Sequence, residues 1–283
     1  MKRDAVKRAL LFAALCAFCL AGCSAAPEEA AAGEAAALSV YGFSAGAADA
    51  FLLTAEDCAV LIDCGEKGFG KEIAGYLDAQ GVERLDCLII THFDKDHVGG
   101  AAKVLSSVPV GRVLQSNYPK DSKEYDNYLD ALEAAGLTAE TVRERLRFTL
   151  GGVRFEVDPP AGGYTEDESN NSSLIVTVTN DADRLLFMGD AEDQRLAEFL
   201  DGYAGGCDYL KVPHHGRSGE LSAALIDAAQ PKIAVITSSD DEPEDAEVVA
   251  LLERAGAEVF LTKEGAVLAE RTGQGVTARY ADK

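Results

Sequence analysis

The sequence predicts an α/β fold, a four-layer α/β/β/α sandwich in which two sheets pack face to face and helices cover their outer faces. Two observations support this prediction. Apolar strands follow one another both as hairpins and in β-α-β units, which indicates antiparallel and parallel pairing. The two halves of the chain are also similar in make-up, so each half can supply one sheet with its helices.

The strands of the first half lead to a polar motif. The segments LSVYGF, AFLL and CAVLIDCG are typical of short strands closed by glycine turns, and KEIAGYLDAQG has helical spacing with a glycine stop. LDCLIITH is an apolar strand that runs directly into THFDKDHVGG. A helix in VGGAAKVLSS, a strand in GRVLQS and a helix between Asp121 and Gly136 are predicted to follow.

The second half repeats this style and leads to a second motif. RFTL, VRFEV, SSLIVTVT and RLLFMGD are predicted strands, and the segment between Pro159 and Ser169 is a Gly- and acid-rich loop. AEDQRLAEFLDG is a predicted helix, and the strand CDYLKVPHHG ends in the motif VPHHGRSG. PKIAVITSS, the amphipathic helix EDAEVVALLERAG, and the strands AEVFLT and GAVLAER complete the chain.

All four histidines lie in these two motifs, His92 and His97 in the first, His214 and His215 in the second. Histidine is the commonest transition-metal ligand. A lone histidine is more often an exposed or satisfied side chain. The concentration of all four in two glycine-flanked motifs at strand ends instead predicts a metal site.

The first motif interleaves its histidines with acids as H-x-D-x-D-H. Because side chains alternate in an extended stretch, His92 and Asp94 can face one ion while Asp96 and His97 face another. Asp190, which follows an apolar strand and a glycine, is expected to bridge the two ions, and one of the paired histidines completes the site. Two divalent cations so placed can bind a substrate oxygen and activate water, as phosphodiester hydrolysis requires.

The N-terminus has the layout of a secretory signal. A basic start precedes the apolar run ALLFAALCAFCLAG, which is short for a membrane-spanning helix. The sequence LAGC resembles the bacterial lipobox, which implies a lipoprotein signal peptide over 1–22 and lipidation at Cys23. The alternatives are a cleaved signal without lipid and an uncleaved anchor. An Ala- and Glu-rich tether over 23–37 and a domain over 38–283 then predict an extracytoplasmic protein anchored to the cell membrane by lipid.

Charge and cysteine content restrict the possible partners. The formal net charge is −22, and without residues 1–22, which hold four basic residues and one acid, it becomes about −25. Such a charge opposes non-specific docking on nucleic acid, so no basic nucleic-acid-binding surface is expected. Beyond Cys23, four cysteines in apolar strand-like stretches are predicted to be buried thiols: Cys58, Cys64, Cys87 and Cys207.

The ordered motifs resemble those of the metallo-β-lactamase superfamily, and more narrowly the lactamase-like domain of ComEC competence proteins. That group has L-I-D-x-G, T-H-x-D-x-D-H-x-G-G, N-x-S, G-D-A-E and H-H-G. The matching segments are LIDCG, THFDKDHVGG, NNSSLIV, GDAED and PHHGRSG, and the match runs from about Leu38 to the C-terminus. The resemblance implies a metallo-β-lactamase fold and a metal-dependent hydrolase.

Carried over by position, the resemblance implies two metal sites. The fuller one has Asp96, His97, Asp190 and a paired histidine, and the other has His92, Asp94 and the shared Asp190. Alignment of P-H-H-G on the superfamily's P-G-H-G motif implies that His215 is the ligand, with His214 as the alternative. As a non-ligand, His214 would be free to contact substrate or shuttle a proton.

Several positions depart from the family pattern. Asp94 replaces the superfamily's second histidine, and no histidine lies between His97 and His214 to supply the third-motif ligand, although Asn170 or Asn171 is expected near that gap. The site with Asp94 is therefore oxygen-rich and weaker, which favours Mn²⁺ or partial occupancy over tightly held Zn²⁺.

Five further positions surround these motifs. Asp49 is kept in SAGAADA, although that turn has lost one glycine, and Arg217 stands where a serine is usual. Asp63 is predicted to support the ligands or form a turn instead of binding metal. Ser172 and Ser173 either contact a phosphate or cap a strand.

Three functions are compatible with these features. The first is a membrane-tethered phosphodiesterase or nuclease, in which a metal-bound hydroxide attacks phosphorus, Asp96 or Asp190 orients the water and His214 protonates the leaving oxygen. The second is hydrolysis of a lactam, lactone or thioester. The third is a non-catalytic binding lipoprotein on the same fold. We favour the first, with a phosphodiester or nucleic-acid substrate and two Mn²⁺ or Zn²⁺ ions.

Overall fold

The computed structural model describes residues 37–281. The predicted signal peptide, the lipidation site Cys23 and the tether up to residue 36 lie outside the described residues. Within residues 37–281 the chain forms fifteen strands, eight α-helices and two 3₁₀ turns. None of these helices combines the length and apolar character that crossing a bilayer requires.

The first sheet has eight strands in the order β15-β14-β1-β2-β3-β4-β5-β6. Their bounds are β1 Leu38–Gly42, β2 Phe51–Ala55, β3 Cys58–Ile62, β4 Cys87–Ile90, β5 Val113–Gln115, β6 Glu140–Thr141, β14 Val267–Thr272 and β15 Gly275–Tyr280. The strands from β3 to β6 pair in parallel, and the others pair antiparallel.

The second sheet has seven strands in the order β13-β12-β11-β10-β9-β8-β7. Their bounds are β7 Leu146–Leu150, β8 Val153–Asp158, β9 Ile175–Asn180, β10 Asp183–Phe187, β11 Tyr209–Lys211, β12 Ile233–Ile236 and β13 Glu258–Leu261. The strands from β10 to β13 pair in parallel. Each sheet thus combines a parallel part with antiparallel strands, as the mixture of hairpins and β-α-β units predicted.

Helices lie outside both sheets. Their bounds are α1 Gly70–Ala79, α2 Lys95–Val98, α3 Ala101–Ser107, α4 Lys123–Ala134, α5 Glu168–Asn171, α6 Asp193–Gly202, α7 Ser222–Ala229 and α8 Ala246–Arg254. One apolar cluster lies between the sheets, a second joins the first sheet to α1, α3 and α4, and a third joins the second sheet to α6, α7 and α8. The four-layer α/β/β/α sandwich is therefore confirmed.

The alternation of side chains along the strands explains the layers. In β8, Val153, Phe155 and Val157 are buried between the sheets, whereas Arg154 on the opposite face is exposed. All four residues of β4 are buried, because this central strand has a sheet on one side and helices on the other. The parallel strands therefore direct their carboxyl ends to one edge of each sheet, where the polar motifs follow.

The predicted helix in VGGAAKVLSS is interrupted. The structure has α2 before Gly99 and α3 after Gly100, because the first motif packs against the backbone of residues 64–67. A Cβ atom on Gly99 would lie 2.5 Å from the backbone nitrogen of Lys67, and one on Gly100 would lie 2.1 Å from the carbonyl oxygen of Cys64. This close approach brings the ends of β3 and β4 together. The sequence also did not predict β6, β15 and α7, or α5 at the end of the predicted loop.

Candidate metal centre

Four side chains from three strand ends converge on one point. The donor atoms of Asp96, His97, Asp190 and His215 all lie within 4.8 Å of one another. The Oδ2 of Asp190 is 3.2 Å from His97 Nε2 and 3.1 Å from His215 Nε2. His215 Nε2 is also 3.2 Å from the Oδ2 of Asp96. This four-donor cluster is the set that the family resemblance implied for the fuller metal site.

The local backbone places these donors. Asp96 and His97 lie in α2, which begins directly after the extended segment that leaves β4. Asp190 follows Gly189, whose φ of 53° turns the chain at the end of β10. His215 lies in the 3₁₀ turn Pro213–Gly216 after β11, with a φ of 54°. Left-handed backbone is uncommon outside glycine, and here it turns the imidazole toward the other donors.

Asp63 orients His97. Its Oδ2 lies 2.8 Å from His97 Nδ1 and accepts a hydrogen bond of 2.6 Å from the Oγ1 of Thr91. Its Oδ1 accepts a hydrogen bond of 2.8 Å from the Thr91 backbone N–H. The residue is fully buried with a φ of 57°, at the turn that ends β3. A carboxylate on one ring nitrogen leaves the other free to bind a metal. The structure accordingly places Asp63 at a turn, behind the imidazole of His97.

Thr237 and Asp49 orient His215 in the same way. The Oγ1 of Thr237 lies 2.9 Å from His215 Nδ1 and donates a hydrogen bond of 2.7 Å to the Oδ1 of Asp49. Asp49 also forms a short salt bridge with the buried ammonium of Lys211. These contacts fix both histidines through Nδ1, so that each Nε2 faces the centre.

The donor set fits a divalent cation. The Nε2 of His97 is buried and has no hydrogen-bond partner, and the same is true of the Nε2 of His92. Such groups are costly to bury unless something binds them. Two imidazole nitrogens and two carboxylates form the mixed nitrogen and oxygen set that Zn²⁺ and Mn²⁺ accept.

His92 and Asp94 stand beside this cluster. His92 Nε2 is 3.8 Å from the Oδ1 of Asp94 and 4.0 Å from the Oδ2 of Asp190. Within residues 37–281, donor groups that converge within 4.8 Å include neither His92 nor Asp94. The Oδ1 of Asp94 instead binds the Lys120 ammonium and the Ser169 hydroxyl. The second predicted site is therefore adjacent to the first, but its donors do not converge.

Burial and neighbouring charges shift the pKa values of the carboxyl and imidazole groups at the centre. Burial by itself would raise the pKa of Asp190, but His215, His97 and Lys211 hold it well below its usual range. Burial would lower the pKa of His215, but Asp190 and Asp96 raise it to about 9. Burial, together with the nearby His97, lowers the pKa of His92 to about 4. His92 is therefore neutral at pH 7, with an unprotonated nitrogen available as a ligand.

His214 lies at the rim, outside the four-donor cluster. One quarter of its side chain is exposed, and its Nδ1 is 3.1 Å from the Oε1 of Glu192. Its Nε2 is 3.4 Å from the amide nitrogen of Asn170, which also donates a hydrogen bond of 3.1 Å to Glu192. A cavity of about 320 Å³ adjoins this rim and includes Arg217. The position suits contact with a substrate.

The remaining predicted polar residues are internal. The side-chain carbonyl of Asn171 accepts a hydrogen bond of 2.9 Å from the Arg195 backbone N–H, and its side-chain amide donates to backbone carbonyls. Ser172 donates to the Glu168 carbonyl, and Ser173 accepts from the Asp190 N–H at 3.0 Å. Neither serine faces open solvent. The two serines therefore shape the site from behind, and the Asn171 side chain is engaged by the Arg195 backbone and by neighbouring carbonyls.

Sequence reasoning missed several residues of the centre: Lys120, Lys211, Thr237 and Glu192. The sequence contained a sign that Lys211 belongs to the centre, because it is a charged residue in the apolar strand that leads to the second motif. It contained no such sign for Lys120, since that residue lies in a loop distant from both motifs. A cavity of about 600 Å³ lies on the outer face of the first sheet beside Tyr76 and Arg84, away from these residues.

The fold and the centre define a class of protein: two face-to-face sheets that present a histidine- and aspartate-rich cluster at the carboxyl ends of their parallel strands. The sequence profile of the metallo-beta-lactamase superfamily matches residues 44–238, which is more than half of the chain. The chain therefore belongs to the metallo-beta-lactamase superfamily. Membership implies a hydrolase that depends on divalent metal ions.

Curated relatives narrow the position within the superfamily. The chain is 28% identical over 207 residues to "ComE operon protein 3" of Bacillus subtilis, a match that covers 71% of this chain and 26% of that protein. It is 32% identical over 165 residues to "Competence protein ComA" of Neisseria gonorrhoeae, covering 57% and 21% respectively. The match thus spans about a quarter of the length of these relatives. The ComEC-like resemblance is confirmed.

A solved structure agrees with the fold. The metallo-beta-lactamase fold protein YhfI from Bacillus subtilis has a TM-score of 0.57 at 12% identity, over 86% of this chain and 100% of that one. At this identity the likeness concerns the fold alone.

Proposed function

We propose that this protein is a metal-dependent phosphodiesterase that acts on a phosphodiester or nucleic-acid substrate outside the cytoplasm. The observation that carries the proposal is the four-donor cluster, in which two carboxylates and two oriented imidazoles face one point next to further acids. A mixed nitrogen and oxygen set of this kind suits Mn²⁺ or Zn²⁺ bound for hydrolysis of a phosphate ester. The likeness to competence proteins supports a substrate of this class.

Asp96, His97, Asp190 and His215 would hold one ion. At the second, weaker site of His92 and Asp94, an ion would have to compete with the Lys120 ammonium for Asp94. Bound metal would supply positive charge to the substrate's oxygens and favour deprotonation of water at neutral pH. The fit rests on the buried Nε2 atoms of His92 and His97, which have carboxylates nearby but no hydrogen-bond partner.

The chain's own residues would handle the attacking water and the proton. Asp96 and Asp190 carry carboxylate oxygens at the centre, where either can accept a hydrogen bond from the water and orient it. His214 stands at the rim beside Glu192, whose carboxylate can stabilise an imidazolium. His214 would therefore deliver the proton to the leaving oxygen.

The negative charge of the chain favours local recognition. With a formal charge of −22, the surface repels a polyanion at long range, so the substrate must be held by the centre and its immediate cations. A signal peptide and a lipid on Cys23 would place the domain at the outer face of the cell membrane.

The first experiment is to measure metal content and turnover of the full-length chain, purified in mild detergent. Bis(p-nitrophenyl) phosphate and single-stranded DNA are tested with Mn²⁺ or Zn²⁺ added, beside the variant Asp190→Ala. Metal-dependent cleavage that is lost in Asp190→Ala supports the phosphodiesterase. Metal bound without cleavage of either substrate shifts the assignment to a lactone, lactam or thioester bond. Neither metal nor turnover would leave a binding protein on this fold.

A further inference from the structure

Lys120 reaches the metal centre from a loop that is fastened in place. The loop follows β5, and its Ser116 donates a buried hydrogen bond of 2.6 Å to the Ser172 carbonyl. Further along, Tyr118 lies close to Glu168, which raises the pKa of the Tyr118 hydroxyl. Both contacts join the loop to α5 and the residue after it. The Lys120 side chain is therefore directed toward the end of β4.

The ammonium of Lys120 is held by two groups at this place. It forms a short salt bridge with the Oδ1 of Asp94 and donates a hydrogen bond of 3.1 Å to the Oγ of Ser169. Ser169 also donates to the same Asp94 oxygen. About one third of the Lys120 side chain is exposed, so a substrate can approach it.

These contacts occupy the oxygen that a second metal ion would need. Asp94 Oδ1 lies 3.8 Å from His92 Nε2. A cation placed between them would lie against the Lys120 ammonium, and two like charges at such short range repel. The four-donor cluster meets no such obstacle, because its cation, Lys211, lies behind Asp190 on Oδ1 while the cluster uses Oδ2.

We propose that Lys120 takes the place of the second metal ion: the centre holds one resident ion at Asp96, His97, Asp190 and His215, and the Lys120 ammonium supplies the second positive charge. This inference rests on the proposed function for one part, that Lys120 contacts an anionic oxygen of the substrate. The other part, the number of ions, is independent of any activity.

The number of ions is tested by equilibrium dialysis of the full-length chain against Mn²⁺, followed by metal analysis. The wild type is expected to hold one tight ion. Lys120→Met keeps the length of the side chain and removes its charge, so Asp94 becomes available and a second ion is expected to bind at least about tenfold more tightly than in the wild type. Lys120→Arg is expected to behave as the wild type.

Two matched variants complete this test. Lys123→Met makes the same charge change at an exposed position three residues away and is expected to leave the number of ions at one. Asp94→Asn is expected to keep the tight ion, because Asp94 is outside the four-donor cluster. Two equally tight ions in the wild type would overturn the proposal, as would loss of the tight ion in Asp94→Asn or a single ion in Lys120→Met.

The substrate contact is tested separately. With Mn²⁺ fixed at a concentration that fills the tight site, Lys120→Met is expected to raise KM for bis(p-nitrophenyl) phosphate about tenfold. The fold is checked by circular dichroism. An unchanged KM would overturn the contact. If the wild type cleaves no phosphodiester, the proposed function fails, and the dialysis result still decides whether Lys120 replaces an ion.

Discussion

The Nζ of Lys211 lies 3.5 Å from the Oδ1 of Asp190, and both side chains are buried. The same ammonium donates a hydrogen bond of 2.9 Å to the Gly189 carbonyl and pairs with Asp49. Lys211 therefore holds one oxygen of Asp190 and leaves Oδ2 turned toward His97. Burial alone would lower the pKa of Lys211, but Asp49 and Asp190 raise it, so the residue stays charged.

Removal of this cation should affect both stability and metal binding. Lys211→Met leaves Asp49 and Asp190 buried without their partner, which typically costs about 3–5 kcal/mol of the free energy of unfolding. Urea unfolding measures the loss, and metal analysis measures the weaker binding that follows when Asp190 is no longer fixed. The double variant Lys211→Met with Asp49→Asn should recover part of the stability, because one uncompensated charge is gone.

The control for this variant is Lys232→Met. Lys232 is largely exposed and pairs with Asp208, so its loss should cost no more than about 1 kcal/mol. Equal effects of the two substitutions would show that Lys211 contributes no more than a surface ion pair.

The sequence predicted the donors because each is local to a strand end. Asp96, His97 and Asp190 lie a few residues after the ends of apolar strands, and parallel strands bring their carboxyl ends to the same edge. The choice of His215 over His214 depended on the resemblance. In the structure the two successive left-handed residues place one imidazole in the cluster and the other at the rim.

The contacts of Lys120 and Lys211 could not be predicted in this way. Lys120 lies in a loop, and its partner Asp94 lies 26 residues earlier in the sequence, after the end of a strand. Lys211 pairs with Asp49 across the two sheets, which no periodicity encodes. Helix α7 was missed for a different reason: its sequence SAALIDAA is almost uniformly apolar or small and shows little amphipathic spacing.

Asp190→Asn tests the metal centre with the least change in shape. The amide keeps the volume but loses the charge that two histidines and Lys211 face, so metal affinity should fall by more than about 100-fold, beyond the usual loss from a supporting hydrogen bond. Equilibrium dialysis against Mn²⁺ measures it. Asp201→Asn, at an exposed position near the end of α6, is the matched control. Full metal content in Asp190→Asn would show that this carboxylate is not a ligand.

Alkylation of the cysteines should report opening of the centre. Cys64, Cys87 and Cys207 are buried as predicted, whereas Cys58 is only half buried. Burial raises the pKa of Cys87 and Cys207 to about 12 and that of Cys64 well above its usual value. At pH 8 these three thiols should therefore resist iodoacetamide until urea unfolds the protein.

Cys64 is the informative position in this experiment, because its backbone N–H donates a hydrogen bond of 2.8 Å to the His97 carbonyl. Peptide mass spectrometry distinguishes the individual cysteines. Rapid labelling of Cys64 in the folded protein would mean that the segment behind His97 opens readily, and the expected rigidity of the centre would be wrong.

The pair formed by Glu244 and Lys263 should make stability depend on pH. The Nζ of Lys263 lies 2.6 Å from the Oε1 of Glu244, and both side chains are mostly buried. Burial alone would raise the pKa of Glu244, but the hydrogen bond from Lys263 lowers it below its usual value. A carboxyl group with a lowered folded pKa stabilises the protein above its unfolded pKa, and this contribution is lost as the pH falls through the folded value.

Lys263→Met should therefore lower the free energy of unfolding by about 1 kcal/mol at pH 7. The difference from the wild type should shrink as the pH falls through the lowered pKa of Glu244, because this carboxyl is then protonated increasingly in both states. Urea unfolding of both proteins between pH 7 and pH 3.5 measures it, with Lys123→Met to remove the effect of net charge. A difference that stays constant over this range would mean that Lys263 contributes through its aliphatic packing and not through its charge.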